Sequence, residues 1–375
     1  MRKAVAASGL LFALSLHAAS PQLVRDIYRG PDVEHSTPSR FFSTGRVAYF
    51  FANDGSGAEL WLTDGTTAGT RKVADLTPGP GPLYSRSADG GFTASGDLVY
   101  FWRGNSLDRD DLELWRTDGT SAGTFRLARN LGRQGRELAP IGERGIIARS
   151  SERFLSSDGT VEGTRFVFGE VFPHHLVPFR GLVYFIDGRA LWRTDGTRAG
   201  TAMVGPLSDD LDEVRGMVAG DDAIYIVGDS LTHWEPYYVW RSDGSAPVHV
   251  TTFRRHPGDA PRLVASRGVV YALTGLDQSM TEIWRLGSTP VRMTVVPGDT
   301  ESYTFLQAHG DSFYFETESP DRLWRSDGTA GGTRIFDGVD VSRQIILAGS
   351  RVFYHSDAGV FVSDGTKATK LTSNQ

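Results

Sequence analysis

The chain has no cysteine in its 375 residues. That excludes disulfides, thiolate metal ligands, a cysteine nucleophile and a lipid-anchored cysteine. A core of this size needs no disulfide staples, so the absence is compatible with an oxidising compartment. Positive charge is also scarce: 39 Lys and Arg stand against 45 Asp and Glu, for a formal net charge of −6. No surplus remains for the basic face that phosphate backbones require, and no nucleic-acid partner is expected. Helix-period patterning of useful length is missing, as is the His-Glu-x-x-His zinc motif, and no serine nucleophile elbow is read. No cofactor and no metal site are expected. What the chain does have is 44 Gly together with 8 Trp, 12 Tyr and 21 Phe, the composition of short strands joined by tight turns.

The one long apolar run lies at the start. Arg2 and Lys3 precede an apolar stretch over 4–16 that only Ser8, Gly9 and Ser15 interrupt, and Ala18, Ala19, Ser20 and Pro21 follow. This reads as a signal peptide over residues 1–19, cleaved after Ala18 or Ala19, with Leu16 or His17 an imperfect residue at the −3 position. Its loss takes the net charge to about −8. The mature chain is therefore expected to be secreted or periplasmic, with no membrane span after signal removal.

Comparing the chain with itself exposes a repeat. Glu59-Leu60-Trp61-Leu62-Thr63-Asp64-Gly65-Thr66 recurs as Glu113-Leu114-Trp115-Arg116-Thr117-Asp118-Gly119-Thr120. Weaker copies occupy 153–160, 190–197, 238–245, 282–288, 322–329 and 359–366, eight in all. The third copy has Leu155 and the eighth Phe361 in place of Trp, and the sixth lacks the Asp. A Gly-Thr pair follows in five copies, at Gly69, Gly123, Gly163, Gly200 and Gly332.

Each copy carries four strand candidates, A to D in chain order. Strand B is a continuous apolar run, at 47–51, 98–102, 145–148, 182–186, 223–227, 269–273, 312–315 and 352–354. Strand C sets Leu and Trp side by side, and adjacent strand residues face opposite sides of a sheet. Both sides must therefore be covered. With no helices available, neighbouring sheets have to do it, which predicts an all-β fold: a β-propeller of eight four-stranded blades in one domain over 20–375. The degenerate third and sixth copies keep seven blades open as the alternative. Either 23–27 or 368–372 supplies the closing D strand. The Asp-Gly pair joins C to D, Gly providing positive φ and Asp accepting from turn amides. Asp64, Asp118, Asp158, Asp195, Asp243, Asp327 and Asp364 are accordingly structural turn residues; the spacing of an EF-hand loop is absent.

These lines resemble the ELWxxDGT repeat family of bacterial exported proteins, with its Glu-Leu-Trp, Thr/Ser-Asp-Gly-Thr and following Gly-Thr. The resemblance covers nearly the whole mature chain and is specific in the first, second, fourth and seventh copies. It implies repeat proteins of extracellular or surface context and carries over no catalytic residue. The turn is also similar to the Asp-box of sialidase-type propellers, with a different order around the Trp.

In a propeller the B–C and D–A connections emerge on one face, and here they vary in length: 103–112, 228–236 and 77–91 are the long ones. Variable loops on a rigid ring are where binding evolves. The candidate binding residues are Trp102 beside Asp108, Asp110 and Asp111, and His233, Trp234 and Tyr237. Exposed aromatics there stack on sugar rings or anchor a protein; alternatively they pack against the next blade and the acids are merely solvated. Arg116, Arg193, Arg241, Arg285 and Arg325, each following the motif Trp or its position, are expected to join blades. His174 and His175, as adjacent strand residues, should point apart and not share a metal. Glu59, Glu113 and Glu282 share one repeat position, which suits architecture rather than an acid–base pair. The resulting expectation is a monomeric, non-catalytic binding scaffold for a protein or glycan partner. The alternatives are a carbohydrate-active enzyme, a glycoside hydrolase or lyase with two carboxylates at the channel mouth, and a purely structural, self-associating envelope or matrix protein.

Overall fold

The computed structural model describes residues 27, 38–76, 90–104, 112–132, 135–150, 153–168, 173–230, 236–254, 260–277, 279–298, 305–318, 322–336, 344–348, 351–356, 359–365 and 368–372. Among these residues there is no helix. The architecture is all-β: a propeller of eight four-stranded antiparallel blades, each in the order A-B-C-D.

The first sheet is β1 to β4 (Ser39–Ser43, Ala48–Asn53, Ala58–Thr63, Arg71–Ala74) and the second β5 to β8 (Gly90–Ser95, Leu98–Gly104, Leu112–Thr117, Phe125–Ala128). The third is β9 to β12 (Gly135–Ile141, Gly145–Ser150, Phe154–Ser157, Arg165–Phe168) and the fourth β13 to β16 (His174–Phe179, Leu182–Asp187, Ala190–Thr194, Ala202–Pro206). The fifth is β17 to β20 (Leu211–Ala219, Ile224–Ser230, Tyr237–Ser242, Val248–Phe253) and the sixth β21 to β24 (Arg262–Ser266, Val269–Asp277, Met280–Arg285, Val291–Pro297). The seventh is β25 to β28 (Leu306–His309, Ser312–Thr317, Arg322–Ser326, Arg334–Ile335) and the eighth β29 to β32 (Gln344–Ala348, Arg351–Ser356, Gly359–Ser363, Ala368–Thr372). The degenerate third and sixth repeats thus form complete sheets, and the seven-bladed alternative falls. Residues 23–335 hold the first seven sheets as one compact unit; the eighth belongs to a second unit with residues 336–375.

Within the larger unit every successive pair of sheets encloses its own apolar cluster. Tyr49, Phe51 and Leu60 of the first sheet meet Val99 and Phe101 of the second, with Trp115 partly buried against them. Leu98, Tyr100, Trp102 and Leu114 of the second meet Ile146, Ala148 and Leu155 of the third. The pattern repeats between the third and fourth sheets, the fourth and fifth, the fifth and sixth, and the sixth and seventh. Strand alternation is the cause: Leu114 faces the following sheet and Trp115 the preceding one. On the free side of the first sheet, Ile27 packs against Phe50, Ala52 and Trp61. Residues 23–26, the rest of the N-terminal closing-strand candidate, lie outside the described residues. The C-terminal candidate, β32, pairs antiparallel with β31. In that unit the Tyr354 and Phe361 rings stack with centroids 5.2 Å apart.

Between strands C and D the register slips by one residue at the Leu-Trp step, as at Leu60/Trp61, Leu114/Trp115, Leu191/Trp192, Val239/Trp240 and Ile283/Trp284. A bulge repeated at one position increases local twist, which suits blades that must splay radially.

Candidate functional site

The C–D turn is built the same way in five copies. In the second, Asp118 Oδ1 accepts from the Thr120 amide at 2.9 Å and its hydroxyl at 2.7 Å. Thr120 Oγ1 in turn accepts from the Gly123 amide at 2.9 Å. The Thr124 hydroxyl donates to the Thr120 carbonyl at 2.6 Å and lies 2.6 Å from Thr117 Oγ1. The same bonds surround Asp64, Asp158, Asp195 and Asp327. Asp243 keeps only the first half, with the Ser245 amide and hydroxyl at 3.2 and 2.6 Å. At Asp364 the described neighbour bond is Gly365 N to Ser363 Oγ, 3.1 Å. The following Gly-Thr is thereby explained: a Cβ on Gly123 would sit 2.0 Å from Asp118 Oδ2, a carboxylate already pinned by Thr120.

The hydroxyl bond from the residue two positions on, with that residue's amide adding, holds the carboxyls of Asp64, Asp118, Asp158, Asp195, Asp243 and Asp327 below the ordinary aspartate value of 3.8. A carboxyl whose pKa is lower folded than unfolded stabilises above its unfolded pKa and loses that contribution as pH falls through the folded value. Glu59, pushed up chiefly by burial, works in the opposite direction but is a single group. The thermal midpoint should therefore hold level from pH ~7 to ~5 and fall steadily below pH ~4. A melting series that stayed level to pH ~2.5 would show the turns contribute nothing.

The repeat glutamates are architectural. Glu113 takes the Trp115 indole N–H at 2.7 Å and Arg126 Nη1 at 2.5 Å. Glu282 does the same with Trp284 at 3.0 Å and Arg292 at 2.8 Å. Glu59 accepts from the Leu76 amide at 2.5 Å. The carboxylate fixes the indole of its own strand and a cation or amide beside it.

The arginines after the Trp make contacts inside their own sheets where these are described, and Arg116 also reaches the next sheet, since a Cβ on Gly159 would lie 3.7 Å from its Nη1. Arg116, Arg193, Arg241, Arg285 and Arg325 stand opposite Tyr100, Tyr184, Tyr225, Tyr271 and Tyr314 of strand B in their own sheets. Arg116 lies 4.3 Å over Phe125, Arg241 pairs with Asp222 at 2.9 Å, and Arg325 Nε donates to Ser312 Oγ at 3.0 Å, all within one sheet. Hydrogen bonds between sheets also come from residues the repeat comparison passed over. Tyr100 Oη donates to the Arg144 carbonyl at 2.5 Å, and Arg71 Nη2 to the Gly119 carbonyl at 2.6 Å. The recurrence of Tyr in strand B was the signal available for them.

On the inner strands, Glu137 links the third sheet to the fourth. Its Oε2 accepts from the Leu176 amide at 2.7 Å and its Oε1 from the His175 amide and Arg149 Nη1, both at 3.2 Å. His175 Nε2 lies 3.0 Å from the Val214 carbonyl of the fifth sheet. The expectation that the two histidines point apart is corrected here. His175 has φ +59° and the register of β13 slips between His174 and Val177. That bulge breaks the alternation, and the rings lie 5.0 Å apart at 71°. Burial, then the neighbouring His175 and Arg149, hold His174 below its ordinary 6.5. No group of three or more metal-ligating side chains occurs among the described residues. In the fifth sheet Asp229, 1% exposed, receives Arg215 Nε at 3.0 Å and Nη2 at 2.7 Å. Glu213 takes Arg215 Nη1 at 2.8 Å.

Of the candidate binding residues, Trp102 and Tyr237 are core side chains, 1% and 4% exposed. Packing against the neighbouring blade is the alternative that fits them. Asp108, Asp110, Asp111, His233 and Trp234 lie outside the described residues. Gly119-Thr120-Ser121-Ala122-Gly123 does carry the Gly-x-Ser-x-Gly spelling, contrary to expectation. It is the turn between β7 and β8, with the Ser121 carbonyl bonded by the Thr124 amide at 3.3 Å. A nucleophile elbow needs a strand-to-helix turn, so the serine is a turn residue.

Cavities bounded by described residues indent the larger unit. One, about 620 Å³, lies at the A–B and C–D end between the third and fourth sheets, bounded by Arg144, Asp158 and Asp195. Another, about 360 Å³, lies at the B–C and D–A end between the fifth and sixth, bounded by Thr252, Phe253, Arg254, Thr274, Glu282 and Trp284. No single repeat contains these six residues, which is why the sequence did not group them.

No family model and no curated protein sequence matches the chain. Solved structures do. The dipeptidyl peptidase 4 of Porphyromonas gingivalis matches with a TM-score of 0.55 at 11% identity, over 90% of this chain and 59% of that one. The computationally designed Ika8 protein matches with 0.54 at 11%, over 89% and 95%. The β-propeller domain of the Trilobed protease from Pyrococcus furiosus matches with 0.41 at 10%, over 81% and 99%. The chain spans 54% to 59% of the length of the peptidases it matches. At such identities the likeness is one of fold alone, and the first two matches carry it.

Proposed function

We propose that this chain is an exported, non-catalytic propeller of the ELWxxDGT kind that binds a glycan or protein partner on the face where its B–C and D–A connections emerge. The observation that carries the reading is the contrast between the two ends of the sheets. At one end the C–D connection spans 64–70, 118–124, 158–164, 195–201 and 327–333, one length with one bonding scheme. At the other end the B–C connection runs from 188–189 to 105–111, and the D–A connection from 207–210 to 75–89. An end whose polar groups satisfy one another serves the scaffold; an end free to vary serves recognition. The inner acids Glu137, Glu213 and Asp229 are occupied by arginines and amides, which suits rigidity better than proton transfer.

The test is a glycan and surface-protein binding screen with the mature chain, repeated after shortening the 105–111 and 231–236 connections. Saturable binding that the shortened forms lose, without release of reducing sugar ends, is the expected result. Hydrolysis of a bound glycan, or binding that survives both deletions and also Arg254→Gln at the D–A edge of the same face, would overturn it.

A further inference from the structure

We infer that the cavity between the fifth and sixth sheets is a subsite for an acidic saccharide, a uronate unit of a polysaccharide; this deepens the binding reading above by naming a place and a ligand class. At about 360 Å³ the cavity is at the small end of ligand pockets, the size for a sugar unit rather than a folded partner. It opens at the end where recognition is expected. Strand D of the fifth sheet contributes Thr252, Phe253 and Arg254 as it runs out; strands B and C of the sixth contribute Thr274, Glu282 and Trp284.

The aromatic element is held still. Trp284 donates its indole N–H to Glu282 at 3.0 Å, and the Phe253 ring braces it edge-on at 5.5 Å and 63°. Phe253 is itself fixed opposite Tyr237 across the sheet, so the loop candidate Tyr237 supports this wall from the core. A half-buried, immobilised indole offers an apolar surface to the C–H face of a pyranose at little entropic cost. On the same face as the indole lie Thr274 and Glu282, and the Glu282 oxygens each already accept one bond and keep a further lone pair for a ligand hydroxyl.

Charge decides between neutral and acidic sugars. Glu282 is matched internally by Arg292 at 2.8 Å. Arg254, exposed at the lip, forms no ion pair among the described residues. Among the described residues the cavity therefore has one guanidinium in surplus, and a guanidinium in this position binds a carboxylate through paired N–H donors.

The test titrates the full chain with trimers of galacturonate, glucuronate and mannuronate and with their methyl esters, followed by tryptophan fluorescence and calorimetry. At least one acid should bind saturably and its ester, which removes the charge and adds one methyl group, at least tenfold more weakly. Arg254→Gln should weaken the acid about tenfold and leave the ester unchanged. Thr274→Val should weaken both, and Arg144→Gln, at the opposite ends of the strands, neither. Equal binding of acid and ester, binding of the ester alone, or an acid indifferent to Arg254→Gln overturns the assignment. A ligand found in the screen above that ignores Arg254→Gln would overturn this subsite while leaving the recognition face standing. Absence of binding by all six probes would overturn it too.

Discussion

Gly328→Ala should destabilise the propeller by about 3 kcal/mol, where Gly65→Ala costs about 1 kcal/mol. The two glycines occupy the same turn position with nearly the same backbone, φ +86° and +89°. Any L-residue there meets the left-handed penalty of about 1–2 kcal/mol. At Gly65 nothing lies within 4 Å of the new methyl group. At Gly328 it would meet the Tyr271 ring of the preceding sheet, 2.0 Å from Oη, 2.3 Å from Cζ and 2.6 Å from Cε1. That ring is buried against Phe313 with centroids 4.9 Å apart, so it has no free rotamer to retreat into, and overpacking adds about 1–3 kcal/mol. Urea midpoints of the two variants measure the difference. Truncating Tyr271 to Val in the Gly328→Ala background should recover much of the loss, since coupled sites are not additive. Equal midpoints for the two glycine variants would mean the turn does not press on the neighbouring sheet.

This contact shows which parts of the molecule could be read in advance. The repeat and its turn are local: Asp118 bonds Thr120, and Glu113 bonds Trp115, two residues away in each case. Such short-range chemistry is written into spacing, as is the Leu-Trp alternation that demanded sheets on both sides. A bulge breaks that legibility, because inserting one residue turns the rest of the strand over. His174 and His175 were expected to diverge for that reason, and instead share a bend at φ +59°. Recurrence points to the arginines after the Trp as blade joints, and Arg116 does come near the next sheet's turn. Hydrogen-bonded joints use Tyr100, Arg71 and the turn carbonyls, and these partners lie 44 and 48 residues apart. The cavity is harder still, since Arg254 and Trp284 come from different repeats at positions with no common motif. Its one legible element was Tyr237, and that residue proves to be a support behind the wall.

Trp102→Ala tests the other aromatic candidate, and the expected result is loss of stability by about 3–5 kcal/mol. The indole belongs to the cluster that joins the second and third sheets, with Leu98, Tyr100, Leu112 and Ile146. It lies so close to two inner strands that a Cβ on Gly135 would fall 2.2 Å from its Cγ and one on Gly91 2.8 Å from its Cδ1. The two glycines make the slot, and the ring fills it. Alanine leaves a large void bounded by backbone that cannot close in. Trp102→Phe should cost much less, because the buried indole N–H finds no acceptor, so the smaller ring gives up area but no hydrogen bond. Denaturant midpoints give both costs, and ligand titration of the folded fraction separates packing from recognition. A core role predicts unchanged affinity per folded molecule in Trp102→Phe, with the stability order wild type, Phe, Ala. A Trp102→Ala chain as stable as the wild type but unable to bind would move this residue from the joint between sheets to the recognition face.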